Sequence, residues 1–439
     1  MSAARPRLLY ANRCQGEIRD DSLDQLLPPD HPVREVWQFV ETLDLSALLA
    51  EIRSVPGNAG APAIDPKILM ALWLQATIDG VGSSRALAKL CAEHLAYRWL
   101  CGGVEVGYHT LADFRTGHGD VLKRLLTETA AVLLHEGLIE LKRVAQDGMR
   151  VRASAGASSF RRSKTIEACL EEAKEQVEAL QAQADEDAGA ASRREQAARQ
   201  RAAADRVARL QSAQAELAKM QQVNADQPKC RHKDPAEVRA STTDPECRKM
   251  KMPDGGFRPA YNVQFATTTE GGVIVGVDVT NEGTDGGQMP PMLDQIEERF
   301  GERPEEALVD GGFATVGGID EAERSGTTVY APMKKEKEQL EEGKDPYART
   351  KSDTDATAQW RARMGTAEAK TIYKQRASTA EWVNAQVRNR GLYGVKVRGQ
   401  AKVLVVVLWY ALAHNFGRMN KLRAAVRGEG ARRADDMAA

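Results

Sequence analysis

Three acidic residues stand where chemistry could use them. Asp147 lies inside KRVAQDGMRVRA (142–153), where Val144, Ala145, Met149 and Val151 interleave with polar residues and predict a strand. Asp310 ends EALVD (306–310), a short apolar strand followed by Gly311 and Gly312, so its carboxylate would project at a sheet edge where backbone can approach closely. Glu381 falls on a helix predicted over 367–389. Gathered in one place, three carboxylates repel one another and favour protonation of some members. A divalent cation removes that conflict, and hard oxygen ligands suit Mg²⁺ or Mn²⁺. Two such ions can activate a water or a 3′-hydroxyl and stabilise the leaving oxygen of a phosphodiester. Taken singly, carboxylates at the ends of core strands usually cap helices or stay solvated.

The charge distribution bears on the substrate. The chain has 61 basic and 62 acidic residues, a net charge of -1, which speaks against a protein that binds nucleic acid over its whole surface. The average hides an asymmetry: from Lys370 to the end there are 14 basic and 4 acidic residues. Around Asp147 stand Lys142, Arg143, Arg150, Arg152, Arg161, Arg162 and Lys164. Acids set among cations fit a DNA backbone held over a metal site; the plainer alternative is that the cations solubilise helices. Cys230, His232 and Cys247 lack the spacing of common zinc modules. The glycine pairs at 255–256, 271–272 and 311–312 match no phosphate-binding loop. The six cysteines form no CxxC pair and predict no disulfide framework.

The elements that must position these acids are legible in outline. At 439 residues and 42% apolar content the chain predicts two or three domains with real cores. Residues 1–140 read as an N-terminal helical domain, with a helix over 33–49, one opened by Asp65-Pro66, one capped by Ser84, and one started by a Thr110/Asp113 capping box. That last helix carries Phe114 and Arg115. Short helices of this kind fit either a helix-turn-helix or an ordinary helical domain; the segment is net acidic, 13 basic against 18 acidic. Residues 164–224 are rich in Ala, Glu, Gln, Arg and Lys. Ile166, Leu170, Ala173, Val177 and Leu180, then Val207, Leu210, Leu217 and Met220, follow a heptad rhythm broken once at DEDAGAAS, which predicts an antiparallel helical hairpin. Beyond it come strands at 261–269 and 272–280, a helix over 289–300, a strand at 327–331, a charged segment near 334–366, and helices over 367–389 and 400–423. The last residues, 428–439, read as a flexible tail. The sum is a mixed α/β core (141–163 and 225–427) interrupted after its first strand by the hairpin. No apolar run is long enough for a membrane helix and no signal core opens the chain, so a cytoplasmic protein is expected.

On these blocks the sequence resembles the DDE-type transposases of bacterial insertion sequences. AQDGMRVRAS resembles their first catalytic block and LVDGGF their second. YKQRASTAEWVNAQVRNRGL resembles the third, a Tyr-Arg-Glu-basic signature carried here by Tyr373, Arg376, Glu381 and Arg388. Two departures stand out: four residues separate Arg376 from Glu381 where three are commonest, and Arg388 replaces the usual Lys. Glu368, the nearest competing acid, precedes Tyr373. AIDPKILMALWLQATIDGVGSSRALAKLCAEHLAYRWLCGG resembles the relatives' N-terminal helical domain, DPECRKM with PAYNVQFAT the segment before the second aspartate, and VVVLWYALAHNFGRM their last helix.

The resemblance implies an RNase H-like core with Asp147 on its first strand, Asp310 after its fourth and Glu381 on a following helix. It implies Mg²⁺ or Mn²⁺, two ions, held by Asp147, Asp310 and Glu381, with Tyr373, Arg376 and Arg388 contacting DNA. It further implies binding of terminal inverted repeats, end cleavage and strand transfer into target DNA by a homodimer in the synaptic complex. A nuclease on the same core, or an inactive DNA-binding relative, would share much of this pattern.

Overall fold

The computed structural model describes residues 21–55, 61–184, 190–228, 232 and 234–438. The N-terminal part is helical: α1 (Pro32–Thr42), α2 (Ser46–Ala50), α3 (Pro66–Ile78), α4 (Ser84–Glu93), α5 (Leu95–Cys101), α6 (Tyr108–Gly117) and α7 (Gly119–His135). The single helix expected over 33–49 is two. The chain turns extended at Leu43, and the Asp44 carboxylate accepts the Ser46 N–H at 2.9 Å to start α2. Asp65 caps α3 with Pro66 in its first turn. Ser83, rather than Ser84, caps α4. The Thr110 capping box does not form: α6 begins at Tyr108 after Gly107 and has no side-chain cap. Arg115, the cation of that helix, turns into the core. Its guanidinium lies 4.7 Å from the Trp73 ring centroid and donates to the Gly82 carbonyl at 2.7 Å.

The strands are β1 (Arg143–Arg152), β2 (Phe160–Arg161), β3 (Ala240–Ser241), β4 (Arg248–Lys251), β5 (Phe257–Thr268), β6 (Ile274–Thr280), β7 (Glu306–Leu308) and β8 (Thr328–Tyr330). The main sheet runs β4-β5-β1-β7-β8, with β6 also paired to β5. Central β1 is antiparallel to β5 and parallel to β7, and β7 is parallel to β8. The smaller ladder joins β2 to β3.

Between β2 and β3 stand α8 (Ser163–Ala184) and α9 (Ala190–Ala225), packed on each other. Part of the DEDAGAAS break lies outside the described residues. The pair buries its own small clusters: Leu170, Ala173 and Leu210 along its length, and Ile166, Ala213 and Leu217 against Val238 and Ala240 at its base. A Glu216–Arg248 ion pair at 2.7 Å ties that base to β4.

The remaining helices are α10 (Met289–Phe300), α11 (Val316–Arg324), α12 (Glu336–Glu341), α13 (Asp355–Met364), α14 (Ala367–Arg376), α15 (Trp382–Asn389) and α16 (Gln400–Ala438). A π-helical turn, Ala377–Glu381, joins α14 to α15. The helix α16 continues through the residues read as a tail, consistent with their Ala- and Arg-rich composition. Its apolar run from Val403 to Ala413 is almost wholly buried and packs on α3, α6, α7 and β6. The Trp409 indole donates to the Arg115 carbonyl at 3.0 Å. The N-terminal helices and the sheet therefore share one continuous apolar core. Among the described residues no helix is long and apolar enough to cross a membrane.

Candidate active site

Successive residues of a strand face opposite sides of a sheet. Asp147 is midway along β1, and its carboxylate is met by the helical segment of α14, the π turn and α15. Arg376 Nη2 donates to Asp147 Oδ1 at 3.1 Å, and Asn384 Nδ2 donates to Oδ2 at 2.8 Å. The Gly148 amide donates to Oδ1 at 3.0 Å. The other arm of the same guanidinium, Arg376 Nη1, donates to Glu381 Oε1 at 2.8 Å. One planar fork thus joins two carboxylates that sequence keeps far apart, a geometry to which guanidinium is suited and ammonium is not.

The spacing of Arg376 and Glu381 explains the local backbone. On a regular α-helix, residues five apart lie about 140° from one another. A π turn closes hydrogen bonds between residues five apart, so it brings the fifth residue back over the first. The extra residue between Arg376 and Glu381 is taken up in this way. Regular 100° steps do not carry across 377–381, and positions on either side of it cannot be placed on one wheel.

Asp310 is not the last residue of a strand: β7 stops at Leu308, and Asp310 sits in the turn that follows. Its Oδ1 accepts the Gly312 amide at 2.7 Å, and a Cβ on Gly312 would come within 2.8 Å of that oxygen. The parallel register ends at the pair Ala145–Leu308, so Asp147 and Asp310 each lie two residues beyond the last paired position. Burial pushes the Asp147 carboxyl above its ordinary pKa; the Arg376 charge opposes this and the Asp310 charge adds to it. Burial works against the Arg376 charge, but Asp147, Tyr373, Asp310 and Glu381 together hold its pKa raised. Burial, with the Asp310 and Glu381 charges, raises the Tyr373 phenol, which Arg376 opposes through its charge and a side-chain hydrogen bond. Arg388 is exposed at the end of α15 and Glu381 is exposed at its start.

Several cations grouped around Asp147 by sequence are committed elsewhere. Arg150, three residues on, faces the opposite side of the sheet and pairs with Asp285 at 3.1 Å. Arg143 pairs with Glu306 and donates to Gln375, and Arg162 pairs with Glu237. Strict strand alternation is by itself enough to separate Arg150 from Asp147. Asp285 carries no such signal, since it lies in a glycine-rich turn with no periodicity. There it accepts hydrogen bonds from Asn262 Nδ2 (2.7 Å), Gln264 Nε2 (2.8 Å) and Arg150, directly behind Gly148. Sequence reasoning also misses Asn384, an uncharged residue that the buried face of α15 turns toward Asp147 while Glu381, three residues earlier in the π turn, stays exposed. Cys230 lies outside the described residues; Cys247 is buried, and burial pushes its thiol up to about 12.

The donor chemistry fits a divalent cation: carboxylate oxygens from Asp147, Asp310 and Glu381, and beside them the Asn384 Oδ1, buried without a hydrogen-bond partner. The arrangement in this conformation is closed by Arg376. Among the described residues, no three His, Cys, Asp or Glu side chains are already placed around a common metal position.

What the fold and site define is a mixed α/β protein whose central strand carries a carboxylate bound to a Tyr-Arg-Glu helix. Two family matches place it more closely. Residues 21–117 match the transposase domain family DUF772, and residues 334–420 match the transposase DDE domain family. Together these matches support a DDE-type insertion-sequence transposase, a DNA transposase whose DDE domain implies a metal-dependent DNA-cleaving enzyme. Tyr373, Arg376, Glu381 and Arg388 fall inside the second match, which begins within the segment read as a charged insertion; Asp147 and Asp310 fall outside both. No curated protein and no solved structure matches the chain.

Proposed function

We propose that this protein binds the terminal inverted repeats of an insertion sequence, cleaves the ends and joins the freed 3′-hydroxyl strands to target DNA. The observation that carries the reading is the meeting of Asp147 and Glu381 on one guanidinium, with Asp310 in the turn just after the strand paired to β1 and its charge felt at Asp147. The strand order supports reading the core as RNase H-like. Its first long strand is central, the second lies antiparallel beside it, the third pairs outside the second, and the fourth and fifth are parallel on the other side.

Asp147, Asp310 and Glu381 are the residues to hold Mg²⁺ or Mn²⁺, with Asn384 orienting Asp147. Bound ions of this kind supply nucleophile activation and charge stabilisation at a phosphodiester. The protein's own contribution is placement. The sheet fixes Asp147, the Gly312 amide turns the Asp310 carboxylate, and α15 presents Arg388 to a phosphate beside the cleaved bond. Cutting two ends in concert calls for a dimer in the DNA complex.

The test uses the full chain, a duplex carrying the element's end and a supercoiled target. Asp147→Asn, Asp310→Asn and Glu381→Gln should each lower Mg²⁺-dependent cleavage by about a hundred- to a thousandfold, the scale set when charge stabilisation is removed, while end binding persists. Cleavage that survives these changes would refute the site. Cleavage without joining of a supplied 3′-hydroxyl end would make the protein a nuclease rather than a transposase.

A further inference from the structure

The Arg376 side chain is only 11% exposed, and it lies between the 16%-exposed Asp147 and the 56%-exposed Glu381. It is a single positive charge facing three carboxylates. A divalent ion bound by Asp147 Oδ1 and Glu381 Oε1 would sit about 2 Å from each, and these are the oxygens that the guanidinium fork contacts at 3.1 and 2.8 Å. Ion and guanidinium cannot share that space. The fork is also incompletely used, because Arg376 Nε is buried with no hydrogen-bond partner.

Resting on the assignment of Asp147 and Glu381 as cation ligands, we propose that Arg376 is the resident cation of the metal-free site and must swing out before the first divalent ion can enter. While in place, it keeps Asp147 and Glu381 together and limits their repulsion. Once displaced, it leaves beside Tyr373 a free fork whose two-pronged geometry matches a phosphate. Metal entry then both assembles the cation site and releases an arginine toward the DNA. By linkage, DNA that captures the released arginine must strengthen metal binding by the same factor.

The measurement is Mn²⁺ binding to the full chain without DNA, by titration calorimetry and by loss of the free-ion paramagnetic signal. Arg376→Gln should bind Mn²⁺ at least tenfold more tightly than the parent, and Arg376→Lys should fall between them, since an ammonium cannot fork. Lys374→Gln removes the same charge from the same helix and should leave the affinity unchanged. With EDTA present, Arg376→Gln should melt below the parent, and Mn²⁺ should raise its melting temperature by more than it raises the parent's. Circular dichroism establishes that both Arg376 variants are folded; Arg376→Lys carries the comparison if the glutamine form is not. Equal or weaker Mn²⁺ binding in the Arg376 variants, with binding still lost in Asp147→Asn, overturns the exchange and leaves the ligand assignment standing. Mn²⁺ binding that Asp147→Asn does not disturb overturns the ligand assignment and the exchange with it.

Discussion

Replacing Gly148 by alanine tests how the sheet holds Asp147. A Cβ there would overlap Asp285 Oδ1 and Gln264 Nε2 and come within 2.9 Å of Asn262 Oδ1. An ordinary carbon contact needs about 3.5 Å, so these groups must retreat by roughly 1 Å. That retreat takes the 2.7 and 2.8 Å bonds from Asn262 and Gln264 to Asp285 beyond hydrogen-bond range. Two bonds to a charged acceptor at about 1.5–3 kcal/mol each give a loss of about 3–6 kcal/mol. Alanine recovers about 0.5–1 kcal/mol of strand preference over glycine, leaving a net cost of about 2–5.5 kcal/mol. Urea unfolding followed by tryptophan fluorescence measures it. The cause is isolated by a double-mutant cycle with Asp285→Ala. That change alone strips the part-buried Arg150 guanidinium of its carboxylate and should cost about 3–5 kcal/mol, but it also removes the nearest atom to the new methyl and frees Asn262 and Gln264 from their bonds to Asp285, so that both can move aside. The double variant should therefore be no less stable than Asp285→Ala alone. Additive losses, or a Gly148→Ala protein within about 0.5 kcal/mol of the parent, the spread expected of a neutral change, would refute the steric account. Because the Gly148 amide also holds Asp147 Oδ1, cleavage should fall further than the folded fraction does.

Three further outcomes follow from particular contacts. Arg388→Ala should weaken end binding and reduce the magnitude of the salt slope by about one; an unchanged slope would remove the phosphate role and leave the metal site untouched. Excising 175–205 with a short linker should leave the protein folded and its melting temperature nearly unchanged. Excising 164–224 should cost more, because it strips Ile166 and Leu217 from Val238 and leaves Arg248 without Glu216; equal effects would show that the hairpin base is not anchored. Burial lowers the His414 imidazole to about 4 in the fold, against about 6.5 when unfolded. The unfolded chain therefore takes up the proton first: this contribution is complete above about pH 6.5 and declines by about 1.4 kcal/mol per pH unit toward pH 4. His414→Gln should flatten that decline, and identical pH profiles would exclude it.

The strongly patterned parts of the chain are legible from sequence alone. The alternation in 143–152, the apolar run of α16, the heptads of α8 and α9, and the Pro-started α3 each rest on local periodicity or capping that the fold preserves. What is not legible depends on contacts between distant segments. The break between α1 and α2 is marked by extended Leu43 and by the Asp44 carboxylate accepting the Ser46 N–H, which a continuous apolar rhythm conceals. The start of α6 belongs to Gly107, and a Thr/Asp pair inside the helix imitates a cap. Arg115 lies on the helix that fits either a helix-turn-helix or an ordinary helical domain, and it is buried by the ring of Trp73 and the Gly82 carbonyl. At the site, the acid types and their spacing can be read, but the partners cannot. Asp285 and Asn384 come to Asp147's strand from loops and helices far along the chain, and nothing in a single sequence records that meeting.

The four-residue spacing between Arg376 and Glu381 has a structural counterpart. An inserted residue in a straight α-helix would rotate everything beyond it by 100°, carrying Glu381 away from Arg376 and Asp147. The π turn at Ala377–Glu381 confines the insertion to five residues and hands a regular helix on to Trp382–Asn389. Buried Thr379 and Ala380 pin the turn to β1 and β5, and the Thr379 hydroxyl donates to the Gln375 carbonyl at 2.9 Å. Asn384 and Val387 then keep their inward places on α15 while Glu381 and Arg388 stay at the surface. One irregular turn thus satisfies two demands at once: it lets a single guanidinium reach both carboxylates, and it leaves the exposed face of the next helix free for a charged partner. A search for related sites by fixed residue spacing would pass over this solution. A search for an arginine and a glutamate brought together across a π turn, over a strand aspartate, would find it.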